Sequence, residues 1–230
     1  MMALEPLARD VVEWDVENWS RALAYWEREA CLPAPPASSL ELGARRGGLS
    51  LWLALKGYRV LCSDLQNNEA AARPLHERYG VTDRITYAAI DATQIPYENH
   101  FDIIAFKSML GGVAFDGDIE RQRRAMRAMY RALKPGGVLL FAENLRGSRL
   151  HRMLRSRFVR WNSVWRYVAL EEMLEFLEPF KRVQYETTGV LGLCGRTPGM
   201  YTLLGRLDGA LLDHVVPQGA RYIVYGAAYK

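Results

Sequence analysis

The chain has 230 residues, half of them hydrophobic, enough to bury one good core and more consistent with a single large domain than with two small ones. Its formal charge is +4, with 25 Arg against 5 Lys, a mildly basic balance without an extended basic tail or RNA-binding motif, which disfavours nucleic acid as a partner. Cys31, Cys62 and Cys194 stand far apart without a Cys-x-x-Cys pair, so neither a disulfide framework nor a zinc site is indicated; the start Met1–Pro6 lacks leader features and no apolar run reaches the roughly 18 residues of a membrane span, so a cytoplasmic protein is expected.

Val12, Val16, Trp19, Leu23, Trp26 and Ala30 recur at steps of three and four, which predicts an amphipathic helix ending before Pro33-Ala34-Pro35-Pro36. From Leu40 the pattern alternates. A strand to Leu42 passes through a glycine-bearing turn into a helix from Gly48 to Lys56; a strand over 58–64 ends in Asp64, and a helix follows near 68–79 with Pro74 inside it. Strands are predicted at 84–90, ending at Asp91, and at Phe101–Phe106. A long helix over Asp118–Leu133 closes at Lys134-Pro135-Gly136-Gly137 before the strand Val138–Ala142. Such alternation means βαβ units and a largely parallel sheet.

Between Arg146 and Arg166 the chain carries seven Arg and no acidic residue. Ser148 reads as the N-cap of a basic amphipathic helix, with Leu150, Met153, Leu154, Phe158, Trp161 and Trp165 on one face. Arg149, Arg152, Arg155, Arg160 and Arg166 fall opposite, and Arg157 alone projects into the apolar arc. A helix near 169–178 follows. The runs near 182–188 and 221–229 are too far apart for a tight hairpin but can pair antiparallel at the sheet edge, with 191–219 as an excursion. That excursion holds a second amphipathic stretch: Met200, Leu203, Leu204, Leu207, Leu211 and Val215.

Four local matches carry a family resemblance from about residue 38 to the C-terminus. Glu41-Leu42-Gly43-Ala44-Arg45-Arg46-Gly47 is similar to an acidic residue followed by Gly-x-Gly-x-Gly, with Arg45 in place of the middle glycine. Asp64 is similar to the acidic residue ending the second strand, Ile90-Asp91-Ala92-Thr93 to a third motif, and Arg131-Ala132-Leu133-Lys134-Pro135-Gly136-Gly137-Val138-Leu139-Leu140 to the helix-turn-strand segment before the fifth strand. With these pieces in order the chain resembles the class I S-adenosylmethionine-dependent methyltransferases. The resemblance implies an α/β, Rossmann-like three-layer sandwich with a mostly parallel seven-stranded sheet and an antiparallel edge strand. It implies an N-terminal helical cap (1–37) and a methyltransferase domain (38–230), with acceptor-covering insertions at about 145–167 and 191–219.

It also implies S-adenosylmethionine as cofactor, contacted by Glu41, Gly43, Ala44, Arg45, Gly47, Asp64, Leu65, Asp91, Ala92 and Lys107. Independently of it, glycines at 43 and 47 let main-chain N–H groups approach an anionic ligand group at a helix start, and the carboxylates of Asp64 and Asp91 can accept from hydroxyl and amino donors. Arg45 either meets the methionyl carboxylate or points to solvent. Methyl transfer is an in-line displacement, so alignment carries much of the rate and a base is optional. The weak candidates for one are Glu143, at a strand end, and His151, whose plainer reading is a boundary residue of a surface helix. No metal is expected.

The expected acceptor is an oxygen on a small molecule, saccharide or lipid-linked compound, with peripheral contact to an anionic membrane through the Arg-rich helix 148–166, or a homodimer, as further expectations. Two alternatives stand beside it. A nicotinamide-dependent Rossmann oxidoreductase shares the first two strands but fits Arg45 and the Pro-Gly-Gly turn less well. A non-catalytic Rossmann-like partner protein would dock through its basic helix.

Overall fold

In the computed structural model, which describes residues 4–158 and 165–230, seven strands join one sheet: β1 (Ser38–Leu42), β2 (Arg59–Asp64), β3 (Ile85–Ala89), β4 (Phe101–Lys107), β5 (Leu133–Asn144), β6 (Arg182–Thr188) and β7 (Ile223–Tyr229). Their order is β3-β2-β1-β4-β5-β7-β6. β1 to β5 pair in parallel, whereas β7 runs antiparallel to both β5 and β6 and lies between them. β1 lies inside the sheet and is buried along four of its five residues, as a parallel strand covered on both faces must be. The strand order reverses between β1 and β4, and the crevice beyond their carboxyl ends is where open parallel sheets bind ligands.

Helices cover both faces. On one side α1 (Leu4–Val12), α2 (Val16–Glu29), α3 (Gly48–Leu55) and α4 (Glu69–Arg78) pack Trp19, Trp26, Leu51 and Leu53 against Ile103, Leu140 and Ala227. On the other, the short α5 (Leu110–Val113), α6 (Ile119–Ala132) and α8 (Leu170–Leu177) pack Met126, Met129 and Met173 against Leu40, Ile104 and Phe141. The predicted Pro-Gly-Gly turn survives as a bulge inside β5. Pairing with β4 steps from Phe101–Leu133 to Ile103–Val138, and Gly136 takes φ +79°.

Two helical expectations are corrected. The first helix is two, α1 and α2, because Glu13 and Asp15 adopt left-handed φ values of 69° and 42° and turn the chain at Trp14. The basic helix is α7 (Arg149–Phe158), and Arg160 and Trp161 lie outside the described residues. Ser148 Oγ accepts from the His151 N–H at 3.4 Å, as an N-cap would. The faces of α7 are not those the spacing gave: Arg155 is 1% exposed, whereas Met153 is 59% exposed and Arg157 lies outside.

The 191–219 excursion carries α9 (Pro198–Leu207), a π-helical turn over Asp208–Leu212, and α10 (Asp213–Val215). The wider turn absorbs the drift of a 3.6-residue helix, so Leu203, Leu207, Leu211 and Val215 stay outside while Asp208 points into the protein. Among the described residues no helix is long and apolar enough to cross a membrane.

Candidate functional site at the tips of β1, β2 and β4

The loop after β1 is built from three left-handed residues, Gly43 (φ +64°), Arg45 (φ +51°) and Gly47 (φ +73°). Glycine is needed at the first for two reasons: its φ, and a Cβ there would stand 2.5 Å from Met109 Cγ, so the loop lies against the segment after β4. Gly47 is held from behind. His76 of α4 sets its Nε2 2.9 Å from the Gly47 carbonyl and its Nδ1 2.7 Å from the Tyr87 hydroxyl, so Nε2 donates to the loop, and in the neutral ring Nδ1 accepts from the tyrosine. Burial lowers its pKa in the same direction.

Glu41 is buried beneath this loop. Its carboxylate accepts from the N–H groups of Leu49 (3.2 Å) and Ser50 (2.6 Å) and from the Ser50 hydroxyl (2.5 Å), and burial pushes it up to about 7. Two of the donors at the start of α3, which the sequence offers to a ligand anion, are thus taken by the protein's own carboxylate. That leaves fewer main-chain donors there for a ligand anion.

Asp64 closes the loop's outer side: one oxygen accepts from Arg45 N (2.8 Å), the other from Leu65 N (2.7 Å). A carboxylate has about four acceptor positions, so this one is fixed in place with capacity for two further donors. Leu65 stands 69% exposed beside it. One tip further along the sheet, Asp91 Oδ1 takes both the N–H and the hydroxyl of Thr93 at 2.8 Å each, leaving Oδ2 uncommitted, and Ala92 is buried next to it.

Lys107 ends β4. Its Nζ is covered, finds no hydrogen-bond acceptor, and lies 3.3 Å from the centre of the Trp14 ring and 4.7 Å from that of Trp19. Burial pulls it down to about 7, against the pull of Glu13, Glu143 and Glu41. Arg45 turns the same way, with its guanidinium 5.2 Å from the Trp14 ring and 3.6 Å from Glu13. The turn between α1 and α2 therefore sits over the loop, a neighbour that the helical spacing around Trp14 concealed.

The two candidate bases are committed elsewhere. Glu143 Oε2 accepts from Met109 N (2.8 Å) and Leu110 N (2.7 Å) and Oε1 from Asn144 N (2.8 Å), which caps α5, and burial raises it to about 7. His151 is fully buried: Nδ1 accepts from Ser148 N at 3.0 Å, and Nε2 donates to the Val190 carbonyl at 2.7 Å. It is neither a surface residue nor free to take a proton. Its neighbour across a 5.4 Å ring contact, Tyr222, belongs to a buried polar cluster with Asp15, Asn18 and Asp208.

Residues 40–141 match a family model described as Methyltransferase domain. The ubiquinone/menaquinone biosynthesis C-methyltransferase UbiE of Shewanella frigidimarina is 31% identical over 128 residues, 52% of this chain and 48% of that protein. The chain spans about half the length of the curated relatives it matches. Among solved structures, Haemonchus contortus phosphoethanolamine N-methyltransferase 2, with phosphomonomethylethanolamine and S-adenosylhomocysteine, superposes at TM-score 0.63 with 20% identity, covering 92% of this chain and 52% of that one. Geranyl diphosphate C-methyltransferase of Streptomyces coelicolor A3(2) does so at TM-score 0.63 with 13% identity, covering 92% and 80%. The fold is that of these enzymes, and residues 40–141, which build the crevice, carry the match to the methyltransferase-domain model.

Proposed function

We propose that the chain transfers a methyl group from S-adenosylmethionine to a small-molecule, saccharide or lipid-linked acceptor. The observation that carries this reading is the strapped loop 43–47 between two strand-tip carboxylates and one covered, unpaired ammonium. Asp64 would take the ribose hydroxyls, Asp91 the adenine amino group and the Ala92 N–H a ring nitrogen, with Leu65 against the base. Lys107 would meet the methionyl carboxylate, since Glu41 already takes two donors at the start of α3. Glu41 and Arg45 act by holding the backbone of Gly43, Ala44 and Gly47 in shape.

When bound, S-adenosylmethionine supplies an electrophilic methyl on a sulfonium. The protein's part is alignment and exclusion of water under the Trp14 turn and α7. With Glu143 and His151 both engaged, we propose an acceptor whose hydroxyl ionises without a strong protein base, attacking through oxygen or an adjacent carbon. Incubation with methyl-labelled S-adenosylmethionine and a panel of phenols, enols and sugar alcohols tests this; label in a phenol or enol is expected, and label in the sugar alcohols alone would refute the base-free reading. Binding without any transfer would favour a non-catalytic partner protein.

The face running from α9 to α10 supports a membrane contact better than α7 does. Arg155 is inside and Arg166 pairs with Glu172 at 2.8 Å, whereas Leu203, Leu207, Leu211 and Val215 are 61%, 43%, 57% and 67% exposed along one line. We propose that this line touches a lipid surface from the cytoplasmic side, a compartment that suits three unpaired cysteines.

A further inference from the structure

The acceptor side of the crevice holds a buried cation without a counter-charge. Arg155 Nη1 donates to the Leu145 carbonyl at 2.6 Å and to that of Arg146 at 3.2 Å, and the guanidinium lies 3.8 Å from the centre of the Tyr167 ring. Its Nη2 is covered and has no acceptor, and among the described residues no carboxylate forms an ion pair with it. The carboxylates electrostatically linked to this cluster are occupied: Glu143 by three backbone N–H groups, Asp208 by Leu191 N, Gly192 N and Asn18, and Asp15 by Tyr222 and Asn18. A guanidinium taken out of water without an anion is unfavourable, and so is a covered donor without an acceptor.

Tyr167 links it to a second such donor. Trp165 Nε1 is covered and unpartnered, its ring centre is 6.4 Å from that of Tyr167, and it packs so closely on Gly111 of α5 that a Cβ there would collide with the indole nitrogen. Both donors belong to the segment after β5, and Trp165 faces the segment after β4, the two places where an acceptor sits if the cofactor occupies the tips of β1 to β3. Lys107 is the third covered donor of this region, and the cofactor reading already uses it.

Resting on that reading, we infer that Arg155 and Trp165 form the binding site for an anionic oxygen group of the acceptor, a carboxylate or a phosphate ester. The acceptor then supplies the missing counter-charge. Because Arg155 is 1% exposed, binding requires α7 to shift and settle again over the bound group.

The test is isothermal titration of the full chain with phenyl phosphate, benzoate and uncharged benzyl alcohol, with and without saturating S-adenosylhomocysteine. At least one anion is expected to bind saturably and about tenfold or more tightly than benzyl alcohol. Arg155→Met should weaken that binding about tenfold, Arg155→Lys less, and Trp165→Phe by about threefold, with S-adenosylhomocysteine affinity unchanged. A preference for phenyl phosphate over benzoate assigns a phosphate acceptor, and the reverse a carboxylate. Anions binding no better than benzyl alcohol, or equally well to Arg155→Met, would overturn the inference. Should Arg155→Met not fold, Trp165→Phe decides the same question: weaker anion binding supports the site, and unchanged anion binding overturns it. Failure of S-adenosylhomocysteine to bind would sink the cofactor reading alone, since the anion arm is read without it.

Discussion

The ammonium of Lys107 rests 3.3 Å from the centre of the Trp14 ring, so the tip of β4 and the turn between the first two helices share one buried charge. A cation over an aromatic face keeps part of its stabilisation when covered, but a carboxylate would be a better partner. That difference is the physical reason to place the cofactor's carboxylate here.

Lys107→Met should therefore lower S-adenosylhomocysteine affinity by about tenfold or more while leaving the fold intact. The pH dependence has a definite sign. The folded pKa is about 7, below the ordinary 10.5, so between these values the unfolded chain holds a proton that the folded chain does not, and stability rises with pH across that window. Ligand affinity moves the other way: as the ammonium discharges above about pH 7, the wild type should bind S-adenosylhomocysteine more weakly, and Lys107→Met should show no such decline. Calorimetry at pH 6, 7.5 and 9 reads both.

Gly43→Ala should destabilise the loop by about 1–3 kcal/mol, since the residue must keep φ +64° and its Cβ meets Met109. The double change Gly43→Ala with Met109→Ala removes the collision with Cγ, but leaves the tight 3.0 Å approach to Cβ and the backbone strain. It should restore part of the S-adenosylhomocysteine affinity lost in the single variant. No recovery would mean that the Met109 contact does not shape the loop.

Much of this was legible from local signals. The step from strand to glycine turn to helix at 40–50, and the strand ending in Asp64, depend on neighbours a few residues away, and the structure places them as read. Arg155 was not legible. Helical spacing says which residues share a face but not which face the sheet will cover, and here the carbonyls of Leu145 and Arg146 draw the guanidinium inward. The same holds for Glu143 and His151, whose partners Met109, Leu110 and Val190 come from other segments. The turn at Trp14 was hidden because Val12 and Val16 stand one turn apart and read as one helix, and nothing local marks Glu13 and Asp15 as left-handed.

The exposed line on α9 should give the protein affinity for vesicles. Changing Leu207 and Leu211 to Ser together should cut co-sedimentation with phosphatidylglycerol-containing vesicles by about fivefold or more, with melting temperature unchanged because both side chains already face outward. An unchanged vesicle fraction would remove the membrane reading. A concentration-dependent dimer lost in the same variant would give that face to a second copy of the chain.

The most direct test of the cofactor site is titration of S-adenosylhomocysteine into the wild type and Asp64→Ala. One ligand per chain is expected for the wild type, no heat from NADH, and an affinity lower by about tenfold or more in Asp64→Ala, which loses both the proposed ribose partner and the anchor of Arg45 N. No saturable binding to the wild type, or equal affinity in the two proteins, would contradict the placement of the cofactor between the tips of β1 and β4.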